Sequence, residues 1–392
     1  MDQTLERKNR VIEYSLYLGC LLSNISQLPL FVRAGLTQRL AFPGWILLVV
    51  AIFLSGRVKI RKLVLNQITL GVILVVWLLF DTLIIGKTQF SSSMFYSYMI
   101  SIFVFLLGGL SSEYVNERVL RNVNYIYIGS MLVVTANIFI EYFGVGYDLA
   151  TRVYAYSSKN SVSQIVFTAI ILLIVRNKPE TIFGKIIKFV AIAFELYVIL
   201  LLRSRATLVS LILCILVIIF AKGTNKRIKG AVTIVAIGVV VLLFTNSQFN
   251  NFIFNNVLFA GRNTADLNEL TSGRVNILIN YPQLIGENWF TGIGPTYYEC
   301  FPLSAILQFG IIGGALCIII ALQPLFKSFV SRHVSEDWYL LFLIAIGYSV
   351  NGLFEGLTPF GPGVKCYYMW LLFGIMLSRP VDGSHEGIAP TV

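Results

Sequence analysis

The chain has 392 residues, of which 57% are hydrophobic and only 12% are charged. Soluble proteins carry about twice that share of charge and disordered chains are much less apolar, so the composition argues against both classes. Lys and Arg exceed Asp and Glu by a net charge of +11, but no basic block marks a nucleic-acid site and we expect no nucleic-acid partner.

Apolar stretches recur along the chain at the length that crosses a bilayer as a helix, about 15 to 25 residues. They predict an all-α polytopic membrane protein of about twelve transmembrane helices, with eleven or thirteen as alternatives. The prediction is a single integral membrane domain over residues 1–392 whose partners include membrane lipids. The predicted spans are 12–31, 41–56, 63–86, 94–112, 123–144, 161–175, 184–202, 206–221, 230–247, 301–325, 337–355 and 366–378.

The first span, 12–31, lacks a small-residue cleavage site and is interpreted as an uncleaved helix rather than a signal peptide. If the N-terminus is cytoplasmic, most Lys and Arg residues fall in the inner segments, as the positive-inside rule requires. We therefore expect both termini in the cytoplasm. Cysteine and histidine residues show no metal or redox spacing, so we expect no metal and no other cofactor.

Near the outer end of the seventh span stands Leu201-Leu-Arg-Ser-Arg205. Arg203 and Arg205 lie at the membrane boundary, where the headgroup of a lipid-linked phosphate would sit. Because Arg makes bidentate contacts to phosphate, we interpret the pair as an anion site. The alternative is that both residues anchor helix ends by reaching toward the interface.

One outer segment is long, residues 248–300, and a loop of that length in a compact protein is usually functional. We expect it to contain short amphipathic helices lying on the outer membrane surface. Arg274 would open one of these helices and meet an anion there, unless it pairs with Asp266 or Glu269. Glu299, just before the tenth span, is a candidate general base; the alternative is a solvated loop acid. Residues 379–392 are expected to form a flexible tail.

Four acids fall in or near predicted spans. Glu195 lies within a span, and the other three lie near outer ends: Asp81, Glu141 and Glu355. Ionisable residues at such depths are candidates for function. We favour the alternative that they pair with the outer arginines and hold their rotamers.

In order, the motifs are Arg203-Ser-Arg205, a long outer loop with Ser272-Gly-Arg274, Gly292-Ile-Gly-Pro295, and a helix with Gly310-Ile-Ile-Gly313. This order, over about residues 150–320, resembles the bacterial O-antigen polymerase and O-antigen ligase superfamily (Wzy and WaaL types). The ligases carry His-Asn where this chain has Glu299-Cys300, so the resemblance favours a Wzy-type polysaccharide polymerase.

The resemblance implies a GT-C-like glycosyltransferase of the bacterial inner membrane with a periplasmic active site. Its substrates would be undecaprenyl-pyrophosphate-linked oligosaccharides, and a polysaccharide chain-length regulator would be a partner. Arg203, Arg205 and Arg274 would stabilise the departing pyrophosphate and Glu299 would be the base. Further candidates for substrate binding are two arginines and four aromatic residues: Arg152, Arg262, Tyr281, Trp289, Tyr297 and Tyr298.

Two other functions stay open. An O-antigen ligase would use the same chemistry with lipid A-core as the acceptor, but the histidine of the ligases is missing. A polysaccharide flippase or other transporter would form no bond; paired halves and a charged central cavity are typical of such proteins. Neither is evident here, and the polar residues concentrate in one outer loop.

Overall fold

The computed structural model describes residues 3–56, 60–86, 90, 92–144, 159–221, 226–259, 265–271, 273–361 and 365–379. Within these ranges the chain is helical and contains no β-strand. The longer helices are α1 (Gln3–Ile25), α3 (Thr37–Ser55), α4 (Lys62–Ile84), α5 (Ser93–Ser111), α6 (Glu117–Gly144), α7 (Lys159–Val175), α8 (Ile182–Leu202), α9 (Arg205–Phe220), α10 (Lys226–Thr245), α14 (Phe301–Ser331), α15 (Glu336–Gly352) and α16 (Tyr367–Ser378). A short α2 (Pro29–Arg33) follows α1.

Among the described helices, six are long and apolar enough to cross a membrane: α3, α4, α5, α6, α10 and α14. Three shorter apolar helices are α7, α9 and α16. The multi-pass helical architecture is therefore confirmed. Each of the predicted spans overlaps a long helix, although the number that cross the bilayer stays a prediction.

The first predicted span, 12–31, differs from the structure. Helix α1 ends at Ile25 and α2 begins at Pro29. Proline has no N–H to donate inside a helix but fits the first turn, where that donor has no partner anyway. Pro29 therefore divides one apolar run into two helices.

The centre of the bundle is formed by α7, α15 and α16, whose side chains are buried along most of their lengths. Helix α16 packs on α5 and α4, and α15 packs on α14, α9 and α7. By contrast, α10 buries none of its described residues and packs against α9 and α11. The outer loop therefore leaves the bundle from its least buried helix and returns through α14.

The long outer segment folds into more pieces than the predicted pair of amphipathic helices. In chain order they are α11 (Ser247–Asn251), a π-helix (Phe252–Phe259), α12 (Leu267–Leu270), α13 (Arg274–Ile285) and a 3₁₀ turn (Gly286–Asn288). No residue of α13 is fully buried. Helix α13 thus covers the end of the bundle without entering it.

Helix α14 is broken at Gly310, which has φ 71° and ψ −178°. Its backbone crosses the Phe290–Gly292 segment so closely that a Cβ on Gly310 would lie 2.0 Å from the Phe290 carbonyl oxygen. The Ile293 N–H donates to Leu307 O at 2.7 Å, and the Ile311 N–H donates to Trp289 O at 2.9 Å. Protein groups thus satisfy the backbone freed by the break, as membrane depth requires.

The opposite end of the bundle carries its own charge cluster. Arg176 on the α7–α8 connection pairs with Asp337 at 3.0 Å and with Glu117 at 3.2 Å. Arg379 pairs with Asp337 at 3.4 Å and donates to the carbonyl of Val115 at 2.7 Å. These contacts join α6, α7, α15 and α16 at the end away from the long loop.

Candidate functional site

Helix α13 begins at Arg274 because Gly273 turns the chain. Gly273 has φ 85°, a left-handed conformation that glycine adopts without steric cost. Its N–H donates to Asn268 O at 2.7 Å, and its carbonyl accepts from the Ile277 N–H at 3.2 Å. The turn between α12 and α13 is thereby closed, and it presents Arg274 to the end of the bundle.

Arg274 connects three segments that are distant in sequence. Its Nη2 donates to Glu299 Oε2 at 2.7 Å and to the Phe354 carbonyl at 2.9 Å. Its Nη1 donates to the Thr271 carbonyl at 3.1 Å, and the guanidinium lies 5.8 Å from the centre of the Phe354 ring. Because guanidinium has five N–H donors, one on Nη1 and the buried Nε–H remain without an acceptor among the described residues.

Glu299 is the partner of Arg274. Arg274 therefore does not pair with Asp266 or Glu269, the alternative considered from the sequence. Asp266 instead caps α12, accepting from the Asn268 N–H at 2.8 Å and the Glu269 N–H at 3.2 Å. Glu299 is a paired carboxylate rather than a freely solvated one. In this arrangement it orients the guanidinium of Arg274.

A second carboxylate, Glu355, follows the end of α15 and lies beside this ion pair. Asn160 on α7 donates to Glu355 Oε1 at 2.6 Å. Burial raises the pKa of the Glu355 carboxyl; Lys365 opposes that rise and Glu299 adds to it. The structure therefore places a poorly solvated acid beside the Arg274–Glu299 pair.

Lys365 lies in the turn before α16 and is 1% exposed. Its Nζ has no hydrogen-bond acceptor among the described residues. Burial lowers the pKa of this ammonium group, whereas the nearby Cys366 and Glu355 raise it. A buried cation without an acceptor is costly, so its position calls for a functional explanation.

Arg203 and Arg205 occupy a tight turn between α8 and α9. Arg203 caps α8 with φ 50° and is 3% exposed. Arg205 is half-buried and donates to the Leu258 carbonyl at 3.4 Å. Arg203 is therefore enclosed by protein. The position of both arginines near headgroup depth stays a prediction.

A buried polar bridge connects this turn to α15. The hydroxyls of Ser204 and Thr207 are 2.9 Å apart, and Thr207 donates to Asn351 Oδ1 at 3.4 Å. Asn351 Nδ2 in turn donates to Ser210 Oγ at 2.8 Å. Helix α15 ends one residue after Asn351 and continues into Phe354 and Glu355. The bridge therefore links the arginine turn to the segment that holds Arg274.

Two of the predicted sugar-contacting tyrosines surround the same region. Tyr281 donates to the Leu303 carbonyl at 3.0 Å and packs edge-on against Tyr298, with ring centres 6.4 Å apart. Tyr298 lines a groove of about 380 Å³, and its other lining residues are Asn276, Ile277, Asn280, Gln283 and Leu284. Burial raises the pKa of Tyr281 to about 12, so it keeps its phenolic proton.

The other two predicted aromatic residues are more exposed. Tyr297 is 51% exposed, and burial of its remainder raises its pKa to about 12. Trp289 is 57% exposed and packs edge-on against Phe290, with ring centres 5.6 Å apart. Both rings are accessible to a substrate or to lipid headgroups. Arg152 and Arg262 lie outside the described residues.

The remaining acids differ in their partners. Glu141 forms the expected pair with an outer arginine, because both nitrogens of Arg33 donate to it at 2.8 and 2.9 Å. Glu195 accepts from the Thr135 hydroxyl at 3.2 Å, and its other oxygen is buried without a donor among the described residues. The expected arginine is therefore not the described partner of Glu195. Asp81 is fully buried on α4.

Sequence reasoning missed Asn160, Phe354 and Lys365. Phe354 acts through its backbone carbonyl, and Asn160 through a contact across 195 positions. Lys365 stands outside every motif that the sequence analysis considered. The sequence feature that could have pointed to this region is Glu355, an acid at the end of an apolar run.

A family model described as O-antigen ligase matches residues 189–310. The matched segment contains the Arg203–Arg205 turn and the Arg274–Glu299 pair. No curated protein matches the chain. The family indicates an O-antigen polymerase or ligase type of function without separating the two. The match supports membership of the chain in the O-antigen polymerase/ligase superfamily.

Proposed function

We propose that the protein polymerises lipid-linked oligosaccharide repeat units at the outer face of the bacterial inner membrane. The observation that carries the proposal is Arg274, which is fixed by Glu299, Phe354 and Thr271 and keeps one N–H of Nη1 without an acceptor among the described residues, available to an anion. Preorganised donors aimed at developing negative charge are the main source of catalysis in group transfer.

In the proposed reaction, a growing glycan on undecaprenyl pyrophosphate is the donor and the non-reducing sugar of a new repeat is the acceptor. An acceptor hydroxyl attacks the anomeric carbon, and the bond to pyrophosphate breaks. That bond supplies the driving force, so neither nucleotide nor metal is required. Arg274 and the half-buried Arg205 are the proposed contacts of the departing pyrophosphate, with Arg203 supporting the turn between α8 and α9.

The groove beside α13 is the proposed site for the sugar rings. Asn276, Asn280 and Gln283 follow each other at helical spacing and carry side-chain amides on one face. Amides both donate and accept hydrogen bonds, which suits sugar hydroxyls. Tyr298 supplies an aromatic wall. Because α13 begins at Arg274, a glycan in this groove would extend from the proposed pyrophosphate site.

The family description favours a ligase as the second candidate, with lipid A-core as acceptor. The ligases of the superfamily that this sequence resembles carry a histidine at the position of Glu299. Here that position holds a carboxylate bound to Arg274 at 2.7 Å. This difference supports the polymerase over the ligase.

The glycan ladder of a strain that lacks this chain separates the two functions. If the chain is the polymerase, lipid A-core or the lipid carrier will bear single repeats and no ladder. Restoring the intact chain will restore the ladder. Accumulation of lipid-linked polymer with no repeat on the core would make the chain the ligase. Repeats retained in the cytoplasm would indicate a transporter and overturn the enzyme proposal.

A further inference from the structure

We propose that Glu355 is the general base that accepts the proton of the attacking acceptor hydroxyl, and that Lys365 is a positioning residue that keeps this carboxylate ionised. This inference rests on the proposed glycan transfer and names a second carboxylate for it. Glu355 thus replaces Glu299, which the sequence suggested as the general base.

The two carboxylates differ in the groups that occupy their oxygens. Glu299 Oε2 is held by Arg274 at 2.7 Å. At Glu355, Asn160 occupies Oε1, and Oε2 accepts no hydrogen bond from the described residues. A base needs one oxygen within hydrogen-bond reach of the substrate proton. Each carboxylate has one oxygen without a partner among the described residues, but the other oxygen of Glu355 accepts from a neutral amide, whereas Glu299 is bound in the ion pair that orients Arg274.

Glu355 lies against the loop that carries the other site residues. The next residue, Gly356, packs so closely on Tyr298 that a Cβ there would lie 2.0 Å from the Tyr298 carbonyl oxygen. The segment from Tyr297 to Glu299 therefore contacts the segment at Glu355. An acceptor sugar bound at the Tyr297–Glu299 segment would present its hydroxyl near both carboxylates.

The charged and titratable groups around Glu355 come from four elements. Lys159 lies on α7, Arg274 on α13, Tyr297 and Glu299 on the loop before α14, and Lys365 in the turn before α16. Burial raises the pKa of Glu355 above that of a solvated glutamic acid, and the Lys365 charge limits the rise. A base with a raised pKa holds the transferred proton more strongly, which favours transfer from a hydroxyl.

Lys365 supports this arrangement because it is enclosed and its Nζ lacks an acceptor among the described residues. Glu355 and Lys365 lie near the two ends of the connection between α15 and α16. Glu355 raises the pKa of the Lys365 ammonium, against the larger effect of burial. A buried cation that interacts with an open carboxylate stabilises its charged form.

The acceptor O–H bond breaks and its proton goes to Glu355 Oε2. The oxygen lone pair forms the new bond to the anomeric carbon of the donor. The old bond from that carbon to the pyrophosphate oxygen breaks, and its electron pair stays on that oxygen, facing Arg274. Glu355 then releases the proton to water.

Four variants of the full chain test the proposal: Glu355→Gln, Glu299→Gln, Lys365→Met and the control Glu141→Gln. Glu141 is an outer acid that pairs with the exposed Arg33. The assay measures the initial rate of polymer formation from lipid-linked repeats in membranes, between pH 5 and 9. The midpoint of thermal unfolding in detergent shows that each variant is folded.

We expect Glu355→Gln to lower the rate on the order of 10² to 10⁴-fold, the usual contribution of a general base. Glu299→Gln should lower the rate but keep the acidic limb of the pH profile. Lys365→Met removes a cation that lowers the Glu355 pKa, so its acidic limb should move to higher pH. Glu141→Gln should match the wild type.

Folded Glu355→Gln protein that keeps more than about a tenth of the rate would overturn the proposal, as would loss of the acidic limb in Glu299→Gln alone. If the acidic limb of the pH profile does not move in Lys365→Met, Lys365 does not keep the Glu355 carboxylate ionised. If the wild type transfers glycans to lipid A-core instead, the proposed polymerase is wrong, and the same criteria apply to Glu355 in that reaction. If the wild type forms no glycosidic bond, both proposals fall.

Discussion

Arg274 combines a fixed position with unused hydrogen-bonding capacity. Its guanidinium contacts Glu299 and Phe354 and has N–H groups without an acceptor in the described part of the chain. Arg274→Ala should therefore lower the rate of glycan transfer by about 10² to 10³-fold, as removal of one preorganised donor does in other enzymes. Arg274→Lys should recover only part of the loss, since an ammonium group cannot reproduce the planar fork.

The measurement is the polymer ladder together with the pool of lipid-linked repeats. Arg33→Ala is the matched control, because Arg33 is an outer arginine in an exposed ion pair with Glu141, and such pairs contribute about 0–1 kcal/mol. A normal ladder in Arg274→Ala would contradict the assignment. Repeats trapped in the cytoplasm would instead indicate a transport path.

The sequence singled out Arg203, Arg205, Arg274 and Glu299, but it did not predict their contacts. Arg274 and Glu299 are 25 positions apart and meet through the turn at Gly273. Arg203 was expected at the membrane boundary, but the sequence did not predict that protein encloses it, in a left-handed conformation that costs roughly 1–3 kcal/mol outside glycine. Residue types indicate chemistry, whereas packing across the chain decides exposure and partners.

At the scale of elements, the broken helix α14 holds the outer loop against the bundle. Gly310→Ala would place a Cβ 2.0 Å from the Phe290 carbonyl at a positive φ. We expect it to destabilise the protein by about 1–3 kcal/mol and to reduce activity, because the crossing at Phe290–Gly292 must shift. The thermal unfolding midpoint in detergent measures the change.

Gly238→Ala is the control for this substitution. Gly238 lies within α10, and an added Cβ there meets no atom within 4 Å. Alanine favours a helix over glycine by about 0.5–1 kcal/mol, so this variant should be neutral or slightly more stable. Equal midpoints for Gly310→Ala and the wild type would show that the crossing does not bear on stability.

A second prediction at the scale of elements concerns the polar bridge between α9 and α15. Asn351 is fully buried and donates to Ser210 Oγ at 2.8 Å and to Gly347 O at 3.0 Å. Asn351→Ala should cost about 1–2 kcal/mol, the size of hydrogen bonds between membrane helices. It should also lower activity, because α15 leads directly into Phe354 and Glu355.

Asn137→Ala is the matched control, since Asn137 is an asparagine that donates only to the Val133 carbonyl of its own helix α6 among the described contacts. Surface changes of this kind usually stay within about 0.5 kcal/mol. Unfolding in detergent is followed for both variants. An Asn351→Ala protein as stable and active as the Asn137→Ala protein would show that the bridge does not position the site.

Most of the helices could be predicted because apolar length and flanking charge decide where a membrane helix begins and ends. The break in α14 could not, since Gly310-Ile-Ile-Gly-Gly314 is also typical of close helix packing. The φ of 71° at Gly310 follows from the chain that crosses it, near Phe290. The local sequence pattern therefore predicts where the helices lie, whereas contacts between distant segments decide where a helix is broken.

At the scale of the whole molecule, polar groups gather at two opposite ends. One end holds Arg274, Glu299 and Glu355; the other holds Arg176 with Asp337 and Glu117. Beyond its break at Gly310, helix α14 continues over residues 311–331 toward the second end, a length of about 30 Å at 1.5 Å per residue, comparable to the hydrocarbon core of a bilayer. The two ends are therefore expected to face different aqueous compartments.

Cysteine labelling tests that orientation. Gln248 is exposed on α11, at the start of the long outer segment, and His333 is exposed between α14 and α15. Of the native cysteines four are buried, so Cys300→Ser removes the remaining half-buried thiol. In that background we expect a membrane-impermeant maleimide added to spheroplasts to label Gln248→Cys at once. His333→Cys should be labelled only after the membrane is permeabilised, because the positive-inside rule assigns its end to the cytoplasm.

The reverse pattern would place Arg274 and Glu355 in the cytoplasm and would contradict an outer-face polymerase. Labelling of both positions before permeabilisation would mean that α14 does not separate the two ends. Because neither substitution lies at Arg274, Glu299 or Glu355, the variants are expected to keep the polymer ladder. That ladder shows, in the same cells, that the labelled protein is the folded and active form.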